Sequence, residues 1–145
     1  YATCHPAISA DGTKMIFSSN RPGGQGGMDL WSVEWNGSSW TAPVNLGATV
    51  NSAEKEIFTF MDKNGGLFYA SDRWNGFGGL DLFVAQSTET TWSTPKNLGT
   101  GMNSDKDDFG IWVASDGVSC YFSSDRLGGR GGDDIYQWNC NFNSC

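Results

Sequence analysis

Residues 20–31 read Asn-Arg-Pro-Gly-Gly-Gln-Gly-Gly-Met-Asp-Leu-Trp, and the same pattern returns at residues 72–83 and 125–136. Each copy leads from an Asn-Arg or Asp-Arg pair through a glycine-rich loop to an aspartate, an aliphatic residue and an aromatic residue. A fixed period of about 50 residues indicates a stacked or radially repeated architecture. The sequence therefore predicts a single domain of three repeats, at residues 1–56, 57–108 and 109–145.

The composition of the 145-residue chain narrows the classes of fold and of partner. It contains 20 glycines and 14% aromatic residues, which suits short strands joined by tight turns. A net charge of −7 argues against nucleic acid as a partner, because phosphates attract clustered lysine and arginine. No apolar run approaches the roughly 20 residues of a membrane-spanning helix.

Strand patterns recur in the same order in each repeat. Asp-Gly or Asn-Gly pairs between apolar runs are strong hairpin signals, and they stand at residues 11–12, 64–65 and 116–117. The predicted first strands are residues 5–9, 57–61 and 109–113, the second strands 14–18, 67–70 and 119–123, and the third strands 30–35, 82–87 and 135–140.

A fourth, outer strand is predicted at residues 40–47 and 92–99. Pro43 and Pro95 lack a backbone donor, which places these segments at a sheet edge. By register, Cys145 occupies the position of Trp40 and Trp92, so the third repeat lacks its fourth strand. Four short antiparallel strands per repeat are typical of β-propeller blades, and the predicted fold class is all-β.

Residues 115–136 show the repeat in its fullest form, with Ser-Asp-Gly followed by Tyr-Phe-Ser-Ser-Asp-Arg-Leu-Gly-Gly-Arg-Gly-Gly-Asp-Asp-Ile-Tyr. This pattern resembles the TolB-type, WD-like β-propeller repeat, and the likeness covers nearly the whole chain three times over. Such repeats occur in the periplasmic Tol-system protein, in envelope proteins with an OmpA-like domain, and beside prolyl-oligopeptidase catalytic domains. The resemblance implies blades that serve as a protein-interaction platform, and it implies no reaction.

The repeated polar residues allow two interpretations. The carboxylates and loop carbonyls could hold a Ca²⁺ ion. Alternatively, each loop aspartate caps loop amides or pairs with the arginine and so shapes the hairpin. The residues concerned are Asn20, Arg21 and Asp29 in the first repeat, Asp72, Arg73 and Asp81 in the second, and Asp125, Arg126 and Asp134 in the third. The acidic link with Asp105, Asp107 and Asp108 is a separate candidate for a cation site.

Four cysteines, Cys4, Cys120, Cys140 and Cys145, lack the spacing of a zinc site and fit disulfides in an oxidising compartment. Cys120 and Cys140 lie at equal distances from a hairpin centre near residue 130. They are therefore expected to face each other and to form a disulfide. Cys4 and Cys145 would then staple the chain ends or pair between chains.

Nothing in the sequence predicts an enzyme or a required cofactor. His5 is the only histidine, and the serines recur in every repeat, which favours structural roles. Trp74, Phe77 and Trp138 do not recur and are candidates for an exposed ligand-binding surface. The sequence thus predicts a non-catalytic propeller module, secreted, at the cell surface or periplasmic, that associates with copies of itself or another protein. The alternative is a carbohydrate-binding lectin, with a cation as a possible aid.

Self-association follows from two predicted open ends. The last repeat lacks an outer strand, and apolar residues around Ile8 and Trp112 would lie on uncovered blade faces. Two chains could close into a six-bladed ring, whereas a head-to-tail contact that does not close would produce a filament.

Overall fold

A computed structural model describes residues 1–88 and 91–140, and in these residues the regular structure is β only. Three antiparallel sheets follow one another along the chain. The first holds β1 (Thr3–Ile8), β2 (Lys14–Ser19), β3 (Asp29–Glu34) and β4 (Val44–Asn45). The second holds β5 (Glu56–Met61), β6 (Gly66–Ser71), β7 (Asp81–Gln86) and β8 (Lys96–Asn97). The third holds β9 (Asp108–Val113), β10 (Ser119–Ser124) and β11 (Asp134–Asn139). No helix in these ranges is long and apolar enough to cross a membrane.

The three sheets are arranged as β-propeller blades, called here the first, second and third blade. Within each blade the strands pair in sequence order. The first strands of neighbouring blades lie beside one another, β1 against β5 and β5 against β9. The chain is therefore all-β, as the sequence predicts, and the structure shows in addition that the blades converge along their first strands.

Apolar clusters between blades form the core. Ile16 and Leu30 of the first blade pack with Tyr69, Phe83 and Ala85 of the second. The same positions one blade later, Phe68 and Leu82, pack with Cys120 and Phe122 of the third blade. Each blade thus presents one face to the blade before it and the other to the blade after it, because side chains alternate along a strand.

A bulge interrupts the first strand of every blade. His5 and Phe58 have φ values of 51° and 55°, and Gly110 has 64° at the corresponding position. The pairing register of each first strand shifts at this point. The bulge brings aromatic rings of neighbouring blades together. The ring centroids of His5 and Phe58 are 4.1 Å apart, and those of Phe58 and Phe109 are 4.8 Å apart.

Some predicted boundaries require correction. The third strands begin and end one residue earlier than predicted, because the loop aspartates pair with the last residues of the second strands. The fourth strands are only two residues long, although isolated bridges join Trp35 to Trp40 and Ser87 to Trp92. The third blade has three strands in the described part of the chain.

The structure contains the predicted disulfide between Cys120 and Cys140, with Cα atoms 5.8 Å apart. The predicted register is wrong by two residues, since Cys120 lies opposite Trp138. Cys140 directly follows the last residue of β11, and its N–H donates to the Val118 carbonyl at 2.6 Å. Cys4 is a free thiol, and Cys145 lies outside the described residues.

Candidate interaction site

The repeated aspartates shape the glycine-rich loops. Asp29 accepts hydrogen bonds from the N–H groups of Gln25 at 2.5 Å and Gly26 at 3.0 Å. In the second loop, Asp81 accepts from the N–H group of Phe77. In the third loop, Asp134 accepts from the N–H groups of Arg130 and Gly131. Carboxylates suit this position because they accept several backbone donors at once.

Asp81 is fully buried, and its surroundings include groups that raise its pKa and groups that lower it. Burial raises the pKa of Asp81, and the amide of Phe77 and the side chain of Asn97 act against that rise by stabilising the charged form. Nearby Asp108 adds a repulsion that raises the pKa further. Burial is the largest of these effects.

The arginines of the motif do not pair with these aspartates. Arg73 instead forms an ion pair with buried Glu56, with Nη2 3.0 Å from Oε1. Arg126 forms an ion pair with buried Asp108, with Nη2 2.6 Å from Oδ1. Glu56 and Asp108 are the first residues of β5 and β9. Each arginine therefore fixes the start of its own blade's first strand.

The same two arginines also hold the preceding blade. Arg73 donates to the Val50 carbonyl at 2.6 Å. Arg126 donates to the Gly101 carbonyl at 2.8 Å and to the Met102 carbonyl at 2.5 Å. Both guanidinium groups stack over aromatic rings of their own blade. An arginine suits this role because its planar fork can donate in several directions at once.

Arg21 has no carboxylate partner among the described residues. Thr3 occupies the position of Glu56 and Asp108, opposite Ser19. The Nε of Arg21 donates to Ser19 Oγ at 3.2 Å, and its guanidinium lies over the rings of Phe17 and Trp31.

The segment that leads into each blade is called here the connector. One side chain of the blade binds its backbone, and these side chains are Asn20, Asp72 and Asp125. The connectors are residues 53–56 for the second blade and 105–108 for the third. The side-chain oxygen of Asp72 accepts from the Lys55 N–H at 2.8 Å, and that of Asp125 accepts from the Asp107 N–H at 2.8 Å. Asn20 accepts from the Ala2 N–H at 2.7 Å in the same way.

Each connector also docks on the glycine-rich loop of the preceding blade. The Gly27 N–H donates to the Glu54 carbonyl at 2.8 Å, and the Glu56 N–H donates to the Met28 carbonyl at 2.7 Å. At the next junction, the Gly79 N–H donates to the Lys106 carbonyl at 3.2 Å, and the Asp108 N–H donates to the Leu80 carbonyl at 2.6 Å. The repeated motif is thus the device that joins one blade to the next.

The acidic link does not assemble as a cation site. Asp108 is buried in its ion pair, and Asp107 accepts from the Leu80 N–H at 2.7 Å. Asp105 is exposed. Within residues 1–88 and 91–140, no group of three or more His, Cys, Asp and Glu side chains could hold a metal ion.

The outward face of the third blade is apolar and open. Ile135 is 79% exposed, Trp112 51% and Tyr121 37%, and the last two rings lie 6.0 Å apart. Leu30 and Leu82, at the position of Ile135, are fully buried against the following blade. The sequence predicts exposure near Trp112. Tyr121 and Ile135 could have been found by alignment with the buried Phe68 and Leu82.

The three aromatic ligand candidates are spread over two blades. Trp74 is 94% exposed on the glycine-rich loop of the second blade, and Phe77 on the same loop is half exposed. Trp138 lies elsewhere, beside a cavity of about 290 Å³ that Val84 and Met102 also line. The structure therefore does not bring the three together in one site.

Cys4 and His5 are in contact, with Sγ 3.3 Å from Nδ1. Burial raises the pKa of the Cys4 thiol and lowers the pKa of the His5 imidazole. Both shifts favour the neutral forms, whereas a nucleophilic cysteine requires a lowered thiol pKa.

Sequence reasoning missed two polar residues that are central to the junctions. Buried Asn51 accepts from the Leu30 N–H at 2.8 Å and donates to the Leu30 carbonyl at 3.1 Å. Asn103 does the same with Leu82. The signal that could have found them is the Asn-Ser pair that recurs at residues 51–52 and 103–104.

Comparison with solved structures agrees with this architecture. TolB from Acinetobacter baumannii superposes with a TM-score of 0.65 and 12% identity over 95% of this chain. A puromycin-hydrolyzing peptidase from Mycobacterium tuberculosis superposes with a TM-score of 0.62 and 15% identity over 96% of this chain. No family model matches the sequence, and no curated protein matches it.

The present chain spans 30% of the TolB chain and 20% of the peptidase chain. At such low identity the likeness concerns the fold alone. The chain is folded as consecutive β-propeller blades, similar to part of the propeller of TolB.

Proposed function

We propose that this chain is a non-catalytic extracellular or cell-envelope module that acts by association and binds further copies of itself. The observation that carries the proposal is the open outward face of the third blade. The same face of the first and second blades is buried against the next blade. An apolar sheet face of this kind favours association, because burying it removes its side chains from water.

The first blade carries a buried cluster at the positions that receive the preceding blade elsewhere in the chain, and Arg21 lies over two of its rings. Phe17, Trp31 and Val33 form a cluster at the positions that Tyr69, Phe83 and Ala85 occupy in the second blade. In the second blade these positions receive the first blade. The contact between copies would therefore repeat a contact that already exists inside the chain, and it would be head-to-tail.

Two further observations support the non-catalytic, extracytoplasmic part of the proposal. The contact between Cys4 and His5 has the wrong pKa shifts for a nucleophile with its base. A disulfide such as Cys120–Cys140 persists in oxidising compartments. We expect the module to need no cofactor.

Sedimentation velocity over a range of protein concentrations tests the proposal. The wild-type chain is expected to sediment faster as concentration rises, and Ile135→Ser is expected to remain monomeric. Val44→Ser is the matched control, because it removes another exposed apolar side chain from a different blade. A wild-type chain that remains a monomer at every concentration would show that the proposal is wrong.

Glycan binding is the second candidate, and the exposure of Trp74 favours it. Aromatic rings bind sugars through their flat apolar faces. Glycan-array binding that Trp74→Ala abolishes without changing the melting temperature would support a lectin. If the array shows no binding by the wild-type chain, this candidate is excluded.

A further inference from the structure

We propose that the glycine-rich loop of the third blade, residues Gly131–Asp133, is a socket for the Tyr1–Thr3 segment of a second copy. This inference rests on the proposed self-association and specifies the contact that makes it.

The first two loops show what the socket binds. The first loop holds residues 54–56 through the Gly27 N–H and the Met28 carbonyl. A Cβ added at Gly78 in the second loop would lie 2.6 Å from the nitrogen and 2.7 Å from the oxygen of Lys106. Glycine is required at this position because the connector backbone lies directly against the loop.

The third loop has the same sequence pattern, and no residue in the described part of the chain fills the corresponding site. Apart from Gly132 itself and its two chain neighbours, no atom of the described residues lies within 4 Å of the position that a Cβ would take there. The nearest atom to a Cβ at Gly131 is the Asp133 carbonyl oxygen at 3.9 Å. Within residues 1–88 and 91–140, the Gly132 N–H and the Asp133 carbonyl have no backbone partner. Asp134 still shapes the loop through the amides of Arg130 and Gly131.

The Tyr1–Thr3 segment already has the arrangement of a connector. The Ala2 N–H donates to Asn20 at 2.7 Å, as the Lys55 and Asp107 N–H groups donate to Asp72 and Asp125 at 2.8 Å. Thr3 pairs with Ser19, in the register that Glu56 shares with Ser71. The segment is thus positioned on its own blade, and Tyr1 is 82% exposed.

The hydrogen bonds expected between two copies are those that join neighbouring blades within one chain. The Gly132 N–H would donate to the Tyr1 carbonyl of the second copy, as Gly27 donates to Glu54. The Thr3 N–H of the second copy would donate to the Asp133 carbonyl, as Glu56 donates to Met28. Behind these bonds, the open face of the third blade would lie next to the first blade of the second copy.

Gly131→Ala tests the socket without changing the isolated chain. The added methyl group has room in the single chain, and Gly131 lies outside the left-handed region of backbone angles. In the docked state the methyl group would collide with the backbone at Tyr1 of the second copy. Sedimentation equilibrium is expected to show self-association weakened by at least about tenfold, with an unchanged melting temperature at monomeric concentrations.

Gly78→Ala is the matched control, because its socket is filled within the chain. It is expected to lower the melting temperature, whereas Gly131→Ala is not. If Gly131→Ala associates as strongly as wild type while Ile135→Ser does not, the socket is wrong and the proposed self-association stands. If the wild-type chain does not associate, both are wrong.

Thr3→Pro tests the other side of the contact. Proline removes the N–H that would reach Asp133, at the first residue of an edge strand, where proline is tolerated. The expected result is again a loss of association of at least about tenfold with little change in melting temperature. Association at wild-type strength in a folded Thr3→Pro chain would overturn the proposal.

Discussion

Arg126 shows how one side chain can join two blades. Its guanidinium forms an ion pair with buried Asp108 and donates to two carbonyls of the preceding blade, those of Gly101 and Met102. Removing one partner of a buried pair leaves the other charge without compensation, and this is more costly than losing an exposed pair. The position of Arg126 in the third blade is that of Arg21 in the first, which among the described residues contacts only hydroxyl groups and aromatic rings.

We expect Arg126→Gln to lower the free energy of unfolding by about 3–5 kcal/mol. Arg21→Gln, the matched variant, should cost about 1 kcal/mol or less, since it loses mainly cation–π contacts. Urea denaturation of the two variants and the wild type measures the difference. Equal losses would mean that the ion pair with Asp108 does not account for the role of the arginine.

Asp11 stabilises the turn between β1 and β2. Its Oδ1 accepts from the Ser9 hydroxyl at 2.6 Å and from the N–H and hydroxyl of Thr13 at 3.0 and 2.8 Å. These hydrogen bonds favour the charged carboxylate and lower the pKa of Asp11 from 3.8 to about 2, with the Ser9 hydroxyl as the largest cause.

A lowered pKa in the folded state has a definite consequence for pH dependence. The contribution of Asp11 to stability is fully present above pH 3.8 and is lost as the pH falls through about 2. We expect the melting temperature to fall between about pH 4 and pH 2, and Asp11→Asn to reduce that fall. Asp105→Asn is the control, because Asp105 is an exposed aspartate. Equal acid sensitivity in the wild type and Asp11→Asn would contradict the prediction.

We expect the hairpin of β10 and β11 to depend on its disulfide. The third blade has no described fourth strand to cover β11. Cys120 and Cys140 are both buried and close a loop with a sequence separation of 20. A cross-link of this length restricts the unfolded chain and so stabilises the folded one.

We expect the Cys120→Ser, Cys140→Ser double variant to lose about 2–4 kcal/mol of unfolding free energy. Cys4→Ser, which removes a free thiol, should lose much less. Chemical denaturation monitored by tryptophan fluorescence measures both variants. Non-reducing peptide mapping checks the pairing itself, and a Cys140–Cys145 peptide would contradict it.

Contact between copies must overcome their like charge. The chain has a net charge of −7, whereas the proposed contact consists of apolar side chains and backbone hydrogen bonds. Salt screens the repulsion between copies over a Debye length of roughly 8–10 Å at physiological ionic strength.

We therefore expect self-association to strengthen as the NaCl concentration rises from about 20 to 500 mM. Light scattering or sedimentation at fixed protein concentration measures this dependence. A variant with one charge removed far from both ends, such as Asp62→Asn, should follow the same trend. Association that weakens with salt would mean that ion pairs between copies hold the assembly together.

Much of the fold could be predicted from the sequence, because its signals are local. The repeat period, the Asp-Gly turns and the alternation of Trp31 and Val33 with Ser32 depend only on neighbours along the chain. The Cys120–Cys140 pairing was predictable for the same reason. Its register was not, because the two-residue error depends on how the loop before Asp134 turns.

The partners of the repeated polar residues required the tertiary structure. The sequence determined that an aspartate, an arginine and a glycine-rich loop recur, and that they serve the repeat. Only the packing of the blades decided that Arg73 binds Glu56 and that Gly78 receives Lys106. Packing also decided which loop stays open, because these contacts join different blades. A residue's partner across such a junction depends on the path of another blade, whereas its propensity to form a strand or a turn depends on its own neighbours.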